Sequence, residues 1–430
     1  MRSRSIMIGL LILICAHSGC SNVNSGEQTV IQGQDEEVGG YQGTIKVYTN
    51  RVDLIENGAM QRYAASFMLD YPGARVEFEG LTNYTSGILF DFTGENADVL
   101  LIPNNVSGSE LENYLEPLDE ALFQDIRFEN FGSYNGKRYG ISTGASTDGI
   151  VYNKQAFQLA GITEVPRSLE QFYAACEKLK LAGITPVYLN YGAQWPIKQW
   201  GENLVNFMTG DPDFLNRMVD IEEPWQLDNA WGQAIGIART LVSQGYAERD
   251  LLTNNWEQSK GELASGRAGM MLSGNWLVNQ IIAAGAPSED IGFFPFPYND
   301  DAQHYAPLNP DWLIGVSKLS KHKELAQAWI AYFVKESGYV IDSGFMPVRL
   351  GEQSELPQLI EFMSYNPILL ESKPLSVHFL RNANKAGFFW GSGELPQELV
   401  AVQDLSSHFQ ILNDRWKQVM QEEMTDLPKR

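Results

Sequence analysis

Cysteine is almost missing from this chain of 430 residues. Of three, Cys15 and Cys20 fall at the N-terminus and Cys176 stands alone in the remainder, so no intrachain disulfide and no CxxC metal or redox motif can form there. Cys176 keeps helical spacing with Leu169, Phe172, Tyr173 and Leu179, which predicts a buried core thiol and no nucleophile. Histidine is equally sparse. Beyond the N-terminal stretch only His304, His322, His378 and His408 occur, none in HExxH or another metal spacing, so neither a metal site nor a cofactor is expected. Positive charge is in deficit, with 31 Lys and Arg against 53 Asp and Glu and a formal net charge of −22; a surface of that sign repels phosphate backbones and argues against nucleic acid as a partner. GSYNGK at 132–137 has the wrong spacing for a phosphate loop and runs into Arg138. Gly140–Gly144 fits G-x-S-x-G, but a turn and a strand follow where a nucleophile elbow needs a helix. No carboxylate pair stands out for a glycosidase or lyase.

A hydrophobic run long enough to span a bilayer is also lacking. Arg2 and Arg4 precede an apolar stretch from Ile6 to Ala16, too short for a stable span and suited to a signal-peptide core, so residues 1–19 read as an export signal. Ser18 and Gly19 lead into Cys20, which resembles the bacterial lipobox, whose cysteine is acylated and becomes the first mature residue; His17 departs from the aliphatic residue usual there. The expectation is export and a lipid anchor on the outer face of the cytoplasmic membrane, or secretion if the anchor is absent. Ser21–Gly40 is polar and free of aromatics. It reads as a flexible tether with a mean span of about 25 Å.

What the chain does have is ample apolar content, 44%, and a length that calls for two domains. GTIKVYTN from Gly43 reads as a buried strand, and Met60, Tyr63, Ala64, Phe67 and Met68 form one face of a helix closed by Pro72 and Gly73. Arg75–Phe78 and Ala97–Ile102 complete a β-α-β unit, and the fold class is α/β. Ligands approach the carboxyl ends of strands in such sheets, which points to Asn50, Arg51 and Asp53 after the first strand and to Asn104 and Asn105 after ADVLLIP; each could equally be a cap or turn residue. Further strands are expected at Thr185–Leu189, Ala268–Leu272, Gly292–Pro297 and Trp312–Val316. Helices are expected from Ser168, over Trp256–Gly266, over Lys321–Val334 and over most of Pro396–Glu423.

Tyr139–Gly161 alternates strand, turn, strand and helix, and looks like a crossing between two lobes. Its turn, Thr143 to Gly149, carries two glycines able to take φ > 0 and several hydroxyls free to meet a ligand. Tyr188–Trp200 is dense in aromatics but has no period, being broken by Gly192 and Pro196. Such rings suit a groove where they cover the apolar faces of sugars while Asn and Gln meet hydroxyls.

The series YGISTGASTDGIVYNKQAFQLAGI, VPRSLEQFYAACEKLKLAGITPVYL, ELASGRAGMMLSGNWL, GFFPFP, NPDWLIGVSKLSKHKELAQAWIAYFV and GFMPVR resembles, in order and spacing, the family 1 extracellular solute-binding proteins of bacterial ABC importers. The likeness runs from about Thr44 to Arg349. It implies a two-lobed periplasmic-binding-protein-like fold, each lobe an α/β sheet flanked by helices, with a hinge and a ligand cleft between. The implied division is 20–42 as lipidated cysteine and tether, 43–145 plus about 305–346 as one lobe, and 146–304 plus about 347–430 as the other. Tyr152, Asn153 and Lys154 fall on the family's YNK, and Ser146, Thr147 and Asp148 fall where the hinge turn meets ligand. Trp276, after Asn275, falls on the tryptophan of a G-x-W turn that often stacks on a pyranose, and Trp195 falls in the aromatic loop. Asn50, Arg51 and Asn105 line the first lobe's side, Arg349 follows the last crossing, and Asn275, Asp311 and Trp312, the last two at the start of the strand expected over Trp312–Val316, are taken with them as ligand-binding candidates. Trp390, in GFFWGSG, is a weaker candidate. The resemblance implies a monomer that takes a carbohydrate, undergoes no turnover and is recognised, closed, by ABC permease subunits. Closure needs contacts on both lobes, and a micromolar ligand needs only about −8 kcal/mol. Arg51 or Arg349 could meet one uronate carboxylate. The same fold would also serve a ligand-sensing co-receptor, and a carbohydrate-active enzyme is the remaining alternative.

Overall fold

Short apolar runs bounded by Gly, Pro, Asn and Asp set the strands. The computed structural model describes residues 41–426 apart from 82–83, 85–87, 89–96, 104–105, 107 and 302. The apolar N-terminal stretch, Cys20, most of the tether, Asn104 and Asn105 therefore lie outside the described residues. The strands are β1 (Gly43–Thr49), β2 (Ala74–Gly80), β3 (Val99–Ile102), β4 (Leu115–Glu116), β5 (Gly132–Tyr134), β6 (Lys137–Ser142), β7 (Ala145–Ser146), β8 (Asp148–Asn153), β9 (Thr185–Val187), β10 (Ala268–Gly274), β11 (Ile291–Phe294), β12 (Tyr305–Pro310), β13 (Leu313–Ser317) and β14 (Ile368–Glu371).

They form three sheets, ordered β2-β1-β3-β13-β6-β5 with β4 on β13, β11-β8-β10-β9, and β14-β12-β7. The first contains the parallel unit β2-β1-β3, with Gly43 opposite Ala74 and Val47 opposite Val99. It is closed by antiparallel β13, with Leu313 opposite Ile102 and Ser142. GSYNGK is the β5–β6 hairpin: Asn135 (φ 49°) and Gly136 (φ 74°) make the left-handed two-residue turn that matches strand twist. Helices Ala59–Asp70 and Lys323–Lys335 cover this sheet, with Trp329 edge-on to Phe67 at 5.3 Å.

The four-stranded sheet is buried on both faces, and its side chains sort by the two-residue period of a strand. Ile150, Tyr152, Met270, Leu272 and Phe294 enter the large core, while Val151, Met271 and Phe293 enter a smaller one beneath helix Trp276–Ala283. The result is a two-lobed α/β protein. Cys176 is fully buried and free, and burial pushes its thiol up. Ser168 caps the helix Leu169–Leu181 by accepting the Gln171 N–H at 3.2 Å.

Several expectations need correction. Gly144 and Gly149 do not take positive φ; they are small because Phe345 and the Phe294 carbonyl stand 2.8 and 2.7 Å from where a Cβ would be. The expected helical C-terminal run is present as two helices, Glu394–Ala401 and Leu405–Asp426, and the Arg239 guanidinium donates to the carbonyls of Leu399, Val400 and Val402 at the break. Trp390 packs edge-on to Phe379 and Trp231, at 5.0 and 5.8 Å, against the large core.

Candidate functional site

Three segments pass between the lobes' cores and are laced together by backbone bonds. The Ala145 N–H donates to the Met346 carbonyl and the Met346 N–H to the Ala145 carbonyl, both at 2.8 Å. The Asp311 N–H reaches the Gly144 carbonyl at 2.8 Å and the Thr143 N–H the Trp312 carbonyl at 3.0 Å. In β7, Ser146 stands opposite Asn309. Asn275 completes the lacing: its Oδ1 accepts the Thr147 N–H at 2.7 Å and its Nδ2 donates to the Gly344 carbonyl at 2.6 Å. Asn275 is fully buried, so its amide is committed to holding the crossings. Asn50 Oδ1 and Thr147 Oγ1 are buried without a hydrogen-bond partner among the described residues, which leaves bonding capacity at the first strand's end and at the hinge turn.

Beside these crossings three partly exposed indoles converge. Trp195 meets Trp256 edge-on at 4.6 Å and Trp276 at 6.1 Å, while Trp256 and Trp276 are 6.0 Å apart. Trp276 follows β10 directly, and its ring lies on Gly274, so close that a Cβ there would sit 2.1 Å from its Nε1. It also packs against both the first lobe's core and the smaller core of the second. Trp256, which opens helix Trp256–Ala264, carries the Lys260 ammonium 5.2 Å from its ring centre. Sequence reasoning placed Trp256 only in a helix. The available signal was Asn254–Asn255 just ahead of it, marking the first turn, where a residue on the buried stripe can still face a neighbouring loop.

The polar groups near the crossings are mostly satisfied within the protein. Asp148 is buried and accepts from Asn203 Nδ2 at 3.0 Å; burial pushes its carboxyl up to about 6, against the pull of Asn203 and Lys198. Asn203 also donates to Gln199 at 2.8 Å. Glu202 is 2% exposed and burial raises it to about 7, although its Oε2 accepts the Gly391 N–H at 2.8 Å. Asp311 is likewise raised by burial to about 6, with Thr143, the Trp312 backbone and Arg51 opposing. None of Asn203, Glu202 or Gln199 carried a motif in the sequence. Trp312 meets Tyr84 edge-on at 5.4 Å.

The two arginines are already matched. Arg51 Nε and Nη2 donate to Asp53 at 2.9 and 2.7 Å, its Nη1 donates to Ser343 at 2.7 Å, and the guanidinium lies 5.8 Å from the Tyr339 ring centre. Arg349 pairs with Glu352 at 2.7 Å with 47% of its side chain exposed, and its backbone bridges to Ile126. Arg51, with all three of its nitrogens engaged, offers no unpaired fork to a uronate carboxylate. The remaining chemistry is amides, hydroxyls, buried acids raised above the usual carboxylate range and flat apolar rings, which fits an uncharged polyhydroxylated ligand. Ser142, the serine of G-x-S-x-G, donates its hydroxyl to the Gly144 carbonyl at 2.7 Å at a strand end. Among the described residues, no group of three or more His, Cys, Asp or Glu is placed to hold a metal ion, and no helix is long and apolar enough to cross a membrane.

Known proteins share this fold. A manno-oligosaccharide specific solute binding protein from Bifidobacterium animalis subsp. lactis, solved with mannotriose, superposes with a TM-score of 0.80 at 26% identity over 90% of this chain and 96% of its own. A second ABC-transporter binding protein from that organism, solved with mannobiose, gives 0.78 at 26% identity over 89% and 95%. An uncharacterized ABC transporter extracellular-binding protein from Pyrococcus horikoshii is 25% identical over 313 residues, 68% of each chain. The model of the bacterial extracellular solute-binding proteins matches residues 53–339, and the chain belongs to that family.

Proposed function

We propose that this protein is the substrate-binding subunit of an ABC importer, taking an uncharged sugar or oligosaccharide between its lobes and delivering it to a membrane permease. The observation that carries this reading is the convergence of Trp195, Trp256 and Trp276 beside the lobe crossings. Stacking contributes about 0.5–1.5 kcal/mol per ring beyond area burial, and hydrogen bonds about 1 kcal/mol each. A few of each, added to the burial of the sugar's apolar faces, reach the roughly −8 kcal/mol of a micromolar complex. The names of similar proteins support the ligand class: the Bifidobacterium proteins were solved with mannobiose and mannotriose, and a relative in Mesorhizobium japonicum is a probable sugar-binding periplasmic protein.

On this reading Asn50, Arg51 and Trp312 line the first lobe's side. Ser146, Thr147, Asp148, Asp311 and Arg349 border the crossings, and Asn275 positions Trp276. The lobes divide as 43–145 plus about 305–346 and 146–304 plus about 347–430. The apolar N-terminal stretch acts as an export signal, acylated Cys20 anchors the protein to the outer face of the cytoplasmic membrane, and the working unit is a monomer without catalytic activity. The test is intrinsic tryptophan fluorescence of residues 21–430 titrated with mannotriose, other oligosaccharides and monosaccharides, with product analysis of each mixture. Saturable quenching or enhancement with the sugar recovered intact is expected. Turnover would make the protein an enzyme, and silence across the panel would remove carbohydrate as the ligand class.

A further inference from the structure

Trp195 hangs on a strained residue. Gln194, immediately before it, has φ 64° and ψ −63°, the region of the rare γ-turn that a residue with a Cβ enters only at a cost. Such a conformation persists where neighbours over-determine it, and it collects at functional sites. Here the neighbours come from two sides. Glu248 accepts the backbone N–H groups of Leu189 and Tyr191 at 2.7 and 3.1 Å. From the C-terminal part of the chain, Gln397 Nε2 donates to the Tyr191 carbonyl at 2.8 Å, and the Tyr191 hydroxyl donates to the Gln397 carbonyl at 2.8 Å. Gln194 Nε2 lies 3.4 Å from Gln397 Oε1. Gly393 seats directly on the turn: a Cβ there would be 2.3 Å from the Gln194 carbonyl oxygen and 3.2 Å from the Trp195 Cα. Its φ of 81° is itself left-handed. The Glu202 bond to the Gly391 N–H holds the start of this segment down.

We propose that Gln397 is a positioning residue for the Trp195 indole, acting with Gly393 as a clamp that keeps Gln194 in its strained turn and so holds Trp195 against Trp256 and Trp276. The clamp is drawn from sequence beyond residue 339, where the family match ends, so the C-terminal part of the chain tunes the indole cluster. A change of φ at Gln194 rotates the peptide that leads into Trp195, and the indole moves with it. The consequence for ligand rests on the sugar-binding reading; the clamp does not.

The test uses Gln397→Met, which keeps the side chain's length and bulk and removes both of its side-chain hydrogen bonds, with Gln194→Gly as the rescue, since glycine takes positive φ without strain. The first readout needs no ligand: two indoles 4.6 Å apart couple their transitions and give a paired circular-dichroism band. In Gln397→Met that band weakens and the affinity for mannotriose falls about tenfold. In the Gln194→Gly/Gln397→Met double variant both recover, which loss of general packing would not produce. An unchanged band in Gln397→Met, or a weakened band that the double variant leaves weak, overturns the proposal. Should wild type not bind mannotriose, that ligand is lost from the functional reading while the band still decides the clamp. Should Gln397→Met not fold, Gln194→Gly alone decides: relief of strain raises the melting midpoint by about 2–4 °C, and an unchanged or lower midpoint overturns it.

Discussion

Gly274 and Trp276 act as one device. The indole lies where any side chain at 274 would go, with Nε1 and Cδ1 at 2.1 and 2.5 Å from the ideal Cβ. A rigid bicyclic ring cannot yield by rotating a terminal group. Gly274→Ala therefore lifts the ring off its seat and should weaken sugar binding by about threefold to tenfold, the loss of one stacking contact, while Trp276→Ala removes the platform and weakens it at least as much. Fluorescence titration checks both, and equal affinity for Gly274→Ala and wild type would show that Trp276 does not meet the ligand. Residues of this kind were partly legible. Trp195 stood out because aromatics without a period are poor candidates for core alone, whereas Trp276 was singled out only through the resemblance of its turn to the family's G-x-W turn. Trp256 was not, since with Ser259 and Leu263 buried on the same helix its position is indistinguishable from a core stripe until the helix is placed in space.

The helix Glu202–Met208 enters the second lobe with a buried acid at its first position. Burial raises Glu202 to about 7 and the neighbouring Asp148 to about 6, so the folded protein binds more protons than the unfolded chain. Stability contributed by these groups is greatest below the unfolded carboxylate range and declines as pH rises, from about 4 to about 7. Glu202→Gln, which retains an oxygen for the Gly391 N–H, should flatten that decline. The variant should exceed wild type by on the order of 3 kcal/mol at pH 8 and by little near pH 4. Urea midpoints at the two pH values test this, and parallel behaviour of the two proteins would mean that Glu202 is charged at no cost. Elements were the most legible scale. β1, β2, β3, β10 and β13 and the helix start at Ser168 follow from local pattern, whereas β12 and β14 escape it. Both are held by pairing with each other, Tyr305 to Ile368, and β12 by β7, and neither alternates apolar and polar residues strongly enough to declare itself.

At the scale of the molecule, the order of segments was legible only up to the last crossing. The stretch after Leu350 has no repeat or strand pattern, yet Phe379, Leu399, Leu412 and Trp416 bury themselves in the large core with Trp225 and Trp231; long-range packing of this sort leaves no local periodicity across the two partners. The coupling between the lobes is local and specific. Asn275 ties the first crossing at Thr147 to the third at Gly344 through one side chain, and every polar atom of that amide group is enclosed. Asn275→Ala strands a buried N–H and a buried carbonyl, each worth about 1–3 kcal/mol, at the place where two lobes with separate cores are joined. The expected result is a melting transition lower by several degrees and broadened or split into two in calorimetry, because the lobes lose part of what makes them unfold together. Arg349→Ala provides the comparison: an exposed ion pair with Glu352 contributes about 0–1 kcal/mol, so that variant should melt as wild type does. A single unshifted transition in Asn275→Ala would move the coupling away from this amide and onto the backbone bonds between Ala145 and Met346.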